Sequence, residues 1–295
     1  MATGIVSIAA LDHGFDVISE VLIVLAAVAL PVLMVGVATA WKRESWKLTD
    51  LDVSLGLCTY IAACAVVGAR LADHRWVIWA LAGMALQGWV SLAPMIARRL
   101  WRERAGLRSR ARGGWELASV ATSGVAILMA DLRILFWAMV LWALAIVVYL
   151  MMTGLIVRRA VRDIGALAQP DIWILMGGAA IATLAGDHIH QAGFTFVWPV
   201  TVATWLVATA WIPVLISVVL RHRVGLGWAA VFPLGMYPSA TFATAVETGW
   251  RWLTTVSLAF FWIALVAWML TALQALSRIG SPPAPAPGTP SDRAK

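Results

Sequence analysis

The sequence predicts an all-α integral membrane protein built from ten helices in five hairpins. Three observations carry this. Of the 295 residues, 62% are hydrophobic and only 13% are charged, against about 25% charged in an ordinary soluble domain. The apolar residues gather in stretches of about 20, the length a helix needs to cross a hydrocarbon core of roughly 30 Å. The basic residues collect after every second stretch. The mean hydropathy is +0.86, an excess that no water-facing fold can bury, so the solvent is lipid. A disordered chain, a disulfide scaffold and a soluble enzyme are excluded together.

The stretches follow in order. Met1–Leu11 is apolar but too short to span. Val17–Trp41, Val53–Ala72 and Trp76–Ala97 are clear spans. Trp115–Leu132 is weaker, because small and polar residues dilute it. Ile134–Val157 is clear, Asp171–Gly186 is diluted again, Phe196–Leu220 is clear, Trp228–Thr248 is diluted, and Trp252–Leu276 is clear. Residues 1–279 form a single transmembrane domain. Residues 280–295, GSPPAPAPGTPSDRAK, read as a disordered Pro-rich cytoplasmic tail.

Loop charge tests this map. Eighteen of the 22 Lys and Arg residues fall on one side, with Arg98 to Arg112 the densest run. Only Arg70, Arg75, Arg133 and Arg251 fall on the other. By the positive-inside rule both termini are cytoplasmic and the protein is multi-pass in the cell (inner) membrane. The net charge of +7 therefore reflects topology, and nucleic acid is not a partner. Trp41, Trp76, Trp115, Trp228, Trp250 and Trp252 mark span ends, as interfacial anchors do.

The odd and even stretches differ. Even ones are uniformly apolar. Odd ones are rich in Gly, Ala, Ser and Thr, as in SLGLCTYIAACAVVGARLA and ILMGGAAIATLAGDH. Small residues let helix backbones approach closely. This places the odd helices inside and the even helices against lipid. Tight packing without a pore explains the same composition. Pro233 and Pro238 kink the ninth stretch around Gly235.

The residues for catalysis are missing. No P-loop or Ser/His/Asp grouping is visible, so the chain is not an enzyme and needs no cofactor. Cys58 and Cys64 read as packing residues. Asp187-His188-Ile189-His190 lacks a third ligand at metal spacing. Glu116, Asp131, Asp187, Glu247 and Arg70 sit near span ends and read as interfacial, which favours a neutral path.

Met1 to Ser7 (MATGIVS), Trp173 to Gly177 with Thr183 to Gly186, and Trp228 through Phe232-Pro233-Leu234-Gly235-Met236-Tyr237 with Ala240-Thr241 resemble the tellurite-resistance/dicarboxylate transporter family. That family takes in tellurite-resistance permeases, malic acid permeases and plant slow-type anion channels. The likeness runs from the first residues to the tenth helix. It implies five hairpins around a central pore lined by the odd helices, one pore per subunit of a homotrimer, and small inorganic or dicarboxylate anions as the transported partners. It also implies that a phenylalanine of the ninth helix plugs the pore. Phe232 is the best match and Phe242 the weaker one. Thr3, Gly4, Thr59, Thr122, Ser123, Thr183, Gly186 and Thr241 are the candidate pore-lining positions, with Pro233 and Gly235 at the kink. In the family the MATGI motif lies inside the first helix. Met1 is therefore expected to be internal, with the start upstream or the first helix truncated.

The resulting expectation is transport of small anions through a neutral pore gated by Phe232. A proton-coupled dicarboxylate (malate) symporter on the same fold is the alternative. A non-transporting membrane scaffold or sensor is the alternative of a different class.

Overall fold

The computed structural model describes residues 1–44, 50–103, 106–163, 165 and 168–279, and among these there is no strand. The principal helices are α1 (Ala2–Asp12), α2 (Asp16–Glu44), α3 (Leu51–Arg70), α4 (Arg75–Arg102), α5 (Leu117–Asp131), α6 (Leu135–Ala160), α7 (Ile174–Gln191), α8 (Trp198–His222), α9 (Trp228–Thr248) and α10 (Trp252–Ile279). Single turns at Leu107–Arg110, Gly113–Glu116, Pro170–Trp173 and Thr195–Val197 lead into some of them. The Pro-rich tail, Lys47 and Arg104 lie outside the described residues.

Nine helical segments among the described residues are long and apolar enough to cross a membrane. The tenth, α1, has 11 residues and spans only about 16 Å, as its short apolar run predicts.

The ten helices form five antiparallel hairpins, each pairing an odd helix with the even one that follows. The odd helices close into a ring. α1 packs on α3, α3 on α5, α5 on α7, α7 on α9, and α9 on α1. The even helices stand outside, each touching also the odd helix of the next hairpin. Burial follows this layout. In α3, α5, α7 and α9, between 67% and 94% of the apolar segment is buried, against 17% to 33% in the even helices. Lipid is as apolar as leucine, so burying leucine on protein yields little. Close van der Waals approach and interhelical hydrogen bonds select the inside, and small residues supply both.

Polar clasps join neighbours. Ser7 Oγ donates to Ser19 O at 2.7 Å, and Ser19 Oγ donates to Ser7 O at 2.8 Å. Arg70 Nε donates to Ser19 Oγ at 2.9 Å, bringing α3 into the α1–α2 hairpin. Cys58 and Cys64 are buried free thiols. Trp76, Trp228, Trp250 and Trp252 are exposed at helix ends. Trp115 departs from the interfacial expectation: it is buried, and its indole N–H donates to Asp52 Oδ1 at 3.1 Å. The turn Gly113–Glu116 swings its ring inward.

Candidate functional site: the inner helix ring

α9 carries two prolines within its length. Each removes a backbone donor and frees the carbonyl one turn earlier. Phe232 stands immediately before the first, fully buried. Gly177 of α7 makes room for this turn. A Cβ there would lie 3.0 Å from Pro233 Cγ and 3.4 Å from Phe232 Cε1. On the other flank a Cβ on Gly235 would lie 2.8 Å from Ile5 Cγ2 of α1. Phe232, Pro233 and Gly235 thus share the turn where α9 is pressed between α7 and α1. Phe242 lies about 15 Å further along the helix, with its ring edge-on to His13 at 5.4 Å.

The threonines face outward. Trp268 Nε1 of α10 donates to Thr3 Oγ1 at 3.0 Å. Trp89 Nε1 of α4 donates to Thr122 Oγ1 of α5 at 2.9 Å. Trp205 Nε1 of α8 donates to Thr241 Oγ1 of α9 at 3.1 Å. Trp142 Nε1 of α6 donates to the Ala182 carbonyl of α7 at 2.8 Å. Each even helix from α4 to α10 therefore bonds the odd helix of the next hairpin, and the last of these bonds closes the circle on α1. Thr183 is likewise engaged outward, 2.9 Å from Thr204 Oγ1 of α8. Gly186 lies against Thr201 and Trp142, and Gly4 against Val66 and Ala26. Thr59 is half-buried.

Two serines differ. Ser123 of α5 and Ser239 of α9 are buried; the Ser123 hydroxyl has no hydrogen-bond partner, and Ser239 has the Asp12 carboxyl of α1 beside it. Ser123 was among the candidate positions and Ser239 was not. A signal for Ser239 existed: it lies seven residues after Phe232, two turns along the same face.

The charged residues also depart from the expectation of scattered interfacial sites. Glu116 is fully buried. Its carboxylate accepts from Thr153 Oγ1 of α6 at 2.6 Å and from Ser119 Oγ at 3.1 Å. At the opposite end of the ring, His188 Nδ1 lies 2.6 Å from Asp131 Oδ1, tying α7 to α5. Gln191 Nε2 donates to Asp187 Oδ2 at 2.8 Å. His190 Nδ1 lies 3.8 Å from Glu247 Oε1 on α9. His13, in the turn after α1, pairs with Ser257 Oγ at 2.8 Å. Burial pushes its imidazole below the usual histidine range. Among the described residues no group of three His, Cys, Asp or Glu stands in metal-binding geometry.

Comparison with known proteins agrees with this architecture. The chain is 28% identical over 130 residues to an uncharacterized membrane protein of Mycobacterium tuberculosis, found alike in strains CDC 1551 and H37Rv. The alignment covers 38% of this chain and 66% of the relative, slightly less than two thirds of its length. The sequence profile described as voltage-dependent anion channel matches residues 1–276, every helix from α1 to nearly the end of α10. A match of that extent, on the hairpin ring that carries the quoted motifs, means that the chain belongs to the voltage-dependent anion channel family.

Proposed function

We propose that the chain conducts small anions along the axis of the odd-helix ring, and that Phe232 closes the path. The family is one of membrane channels, not of enzymes. The observation that carries the reading is Phe232 itself. It is a large side chain, wholly buried, on a proline-bearing turn of the inner ring where α7 offers only a glycine. An aromatic ring across a narrow apolar tube keeps water out, and an anion cannot pass a dry constriction. Ser123 supplies an unpartnered hydroxyl on the inner ring, a donor suited to an anion that has left its water. Between the charged groups at the two ring ends the inner helices are weakly polar, which suits chloride, nitrate or a C4 dicarboxylate. In this reading the protein is a homotrimer in the inner membrane, with both termini cytoplasmic.

Anion flux in proteoliposomes tests it. Phe232→Ala is expected to raise a low wild-type flux about tenfold or more, the equivalent of lowering a barrier by about 1.4 kcal/mol. Equal flux in the two proteins, with both folded, removes Phe232 from the gate. The carboxyl groups at one ring end favour a second reading, a proton-coupled dicarboxylate carrier. Saturating malate uptake driven by a pH gradient would establish it over the channel.

A further inference from the structure

The ring brings a carboxyl from four of its five helices to the end away from Met1. These are Asp12 of α1, Asp131 of α5, Asp187 of α7 and Glu247 of α9. An acidic mouth is a poor place to admit an anion, since each unit charge near the path repels it. Most of these groups have partners. Asp131 has His188, and Asp187 has Gln191. Asp12 lies within electrostatic reach of His188 and Asp187, beside Ser239.

Glu247 is the exception. Its side chain is only 3% exposed, and neither carboxyl oxygen accepts a hydrogen bond. His190 Nδ1 is 3.8 Å away, too far for a hydrogen bond, and is itself without one. The carboxyl that Glu247 lies against is that of Asp187. Two carboxyls in contact satisfy each other when one carries a proton and donates its O–H to the other. Glu247 also belongs to the α9 face that carries Phe232. Residues 232, 236, 239, 243 and 247 follow the helical spacing of one stripe.

We propose that Asp187 and Glu247 form a proton-binding site at the mouth of the anion path, which admits anions when protonated and repels them when empty. The proton comes from the solution at that end and returns to it. The inference rests on the anion path proposed above. The groups around the pair complete the electrostatics. α1 and its turn present Asp12 and His13, α5 presents Asp131, and α7 presents His188 and His190. α10 presents Ser257, bonded to His13 and to the Pro238 carbonyl. Arg133 and Arg251 occupy turns at the same end. Arg70 is turned to Ser19 on α2.

The test uses the full chain in proteoliposomes, with chloride and malate as probes. As pH falls from about 8 to about 5, wild-type flux is expected to rise about tenfold, the scale of one unit charge about 12 Å from the path at an effective dielectric of about 20. Glu247→Gln keeps the size of the side chain and is expected to hold flux at its acid level throughout. Asp187→Asn is expected to do the same. Wild-type pH profiles in both variants overturn the proposal. A second readout is independent of transport. Difference infrared spectra between the two pH values are expected to contain a protonated-carboxyl band that Glu247→Gln removes. If the band survives in both variants, the site is not there. If it is lost but neither wild type nor Phe232→Ala moves any anion at either pH, the proton site stands and the transport reading fails.

Discussion

The indole N–H of Trp268 donates to Thr3 Oγ1 at 3.0 Å, joining the last helix to the first across 265 positions of the chain. It is the closing member of a circular set in which Trp89, Trp142 and Trp205 make the same kind of bond to the next hairpin. In lipid an indole N–H has no water to turn to, so such a bond orients one helix on another.

Thr3→Val and Trp268→Phe each remove that bond and little else. Each is expected to cost about 0.5–1.5 kcal/mol, the range for interhelical hydrogen bonds in membranes. The double variant should cost no more than the larger single one, because the bond is lost only once. Unfolding of the detergent-solubilised protein measures this. Strictly additive losses would show that the two side chains act separately.

Gly177 faces Pro233 and Phe232 with no space for a methyl group. Gly177→Val is expected to force α7 and α9 apart and to destabilise the protein by about 1–3 kcal/mol, as overpacking does. Gly154 on α6, where a Cβ meets nothing within 4 Å, is the control, and Gly154→Ala should leave the melting temperature unchanged or slightly raised. Equal melting of Gly177→Val and wild type would contradict the close approach.

Phe232 offers a contrast between gate and core. A core phenylalanine truncated to alanine costs about 3–5 kcal/mol. A gate on the pore axis has solvent ready to replace it, so Phe232→Ala should cost well below that while flux rises. Phe232→Leu should fall between wild type and alanine in flux. A large loss of stability with no flux marks a packing residue instead. Melting and flux on the same preparations decide.

Glu116 accepts two hydroxyl hydrogen bonds and is wholly buried. Glu116→Gln keeps an acceptor oxygen for one of the two hydroxyls and turns an NH2 donor to the other, whose oxygen can accept from it, and should stay within about 1 kcal/mol of wild type. Glu116→Leu strands both hydroxyls and should cost about 1–3 kcal/mol. Chemical denaturation compares the two. A leucine variant as stable as the glutamine would mean that the hydroxyls find other partners.

Much of the architecture was legible one helix at a time. The stretch ILMGGAAIATLAGDH reads as an inner helix because only small residues permit close contact on every side, and α7 is the most buried of the spanning helices. The stretch from Val17 reads as outer because valine and leucine need no protein partner in lipid, and α2 is the most exposed. The brevity of α1 follows from the length of its apolar run. The quoted motifs led to the family that the profile match shows.

Other features depend on which helices become neighbours. Thr122 and Thr241 look alike in sequence to any pore-lining hydroxyl, but each is turned toward a tryptophan of the preceding hairpin. Glu116 looks like a span-end charge until the turn before α5 carries it inward. Asp187 and Glu247 lie on different hairpins, and only closure of the ring sets one carboxyl against the other. Sequence by itself determined which residues each helix can place against lipid, because composition and periodicity are local properties. The tertiary structure alone decided which polar groups meet, because helix pairing brings together side chains that are far apart in the chain and carry no mark of each other.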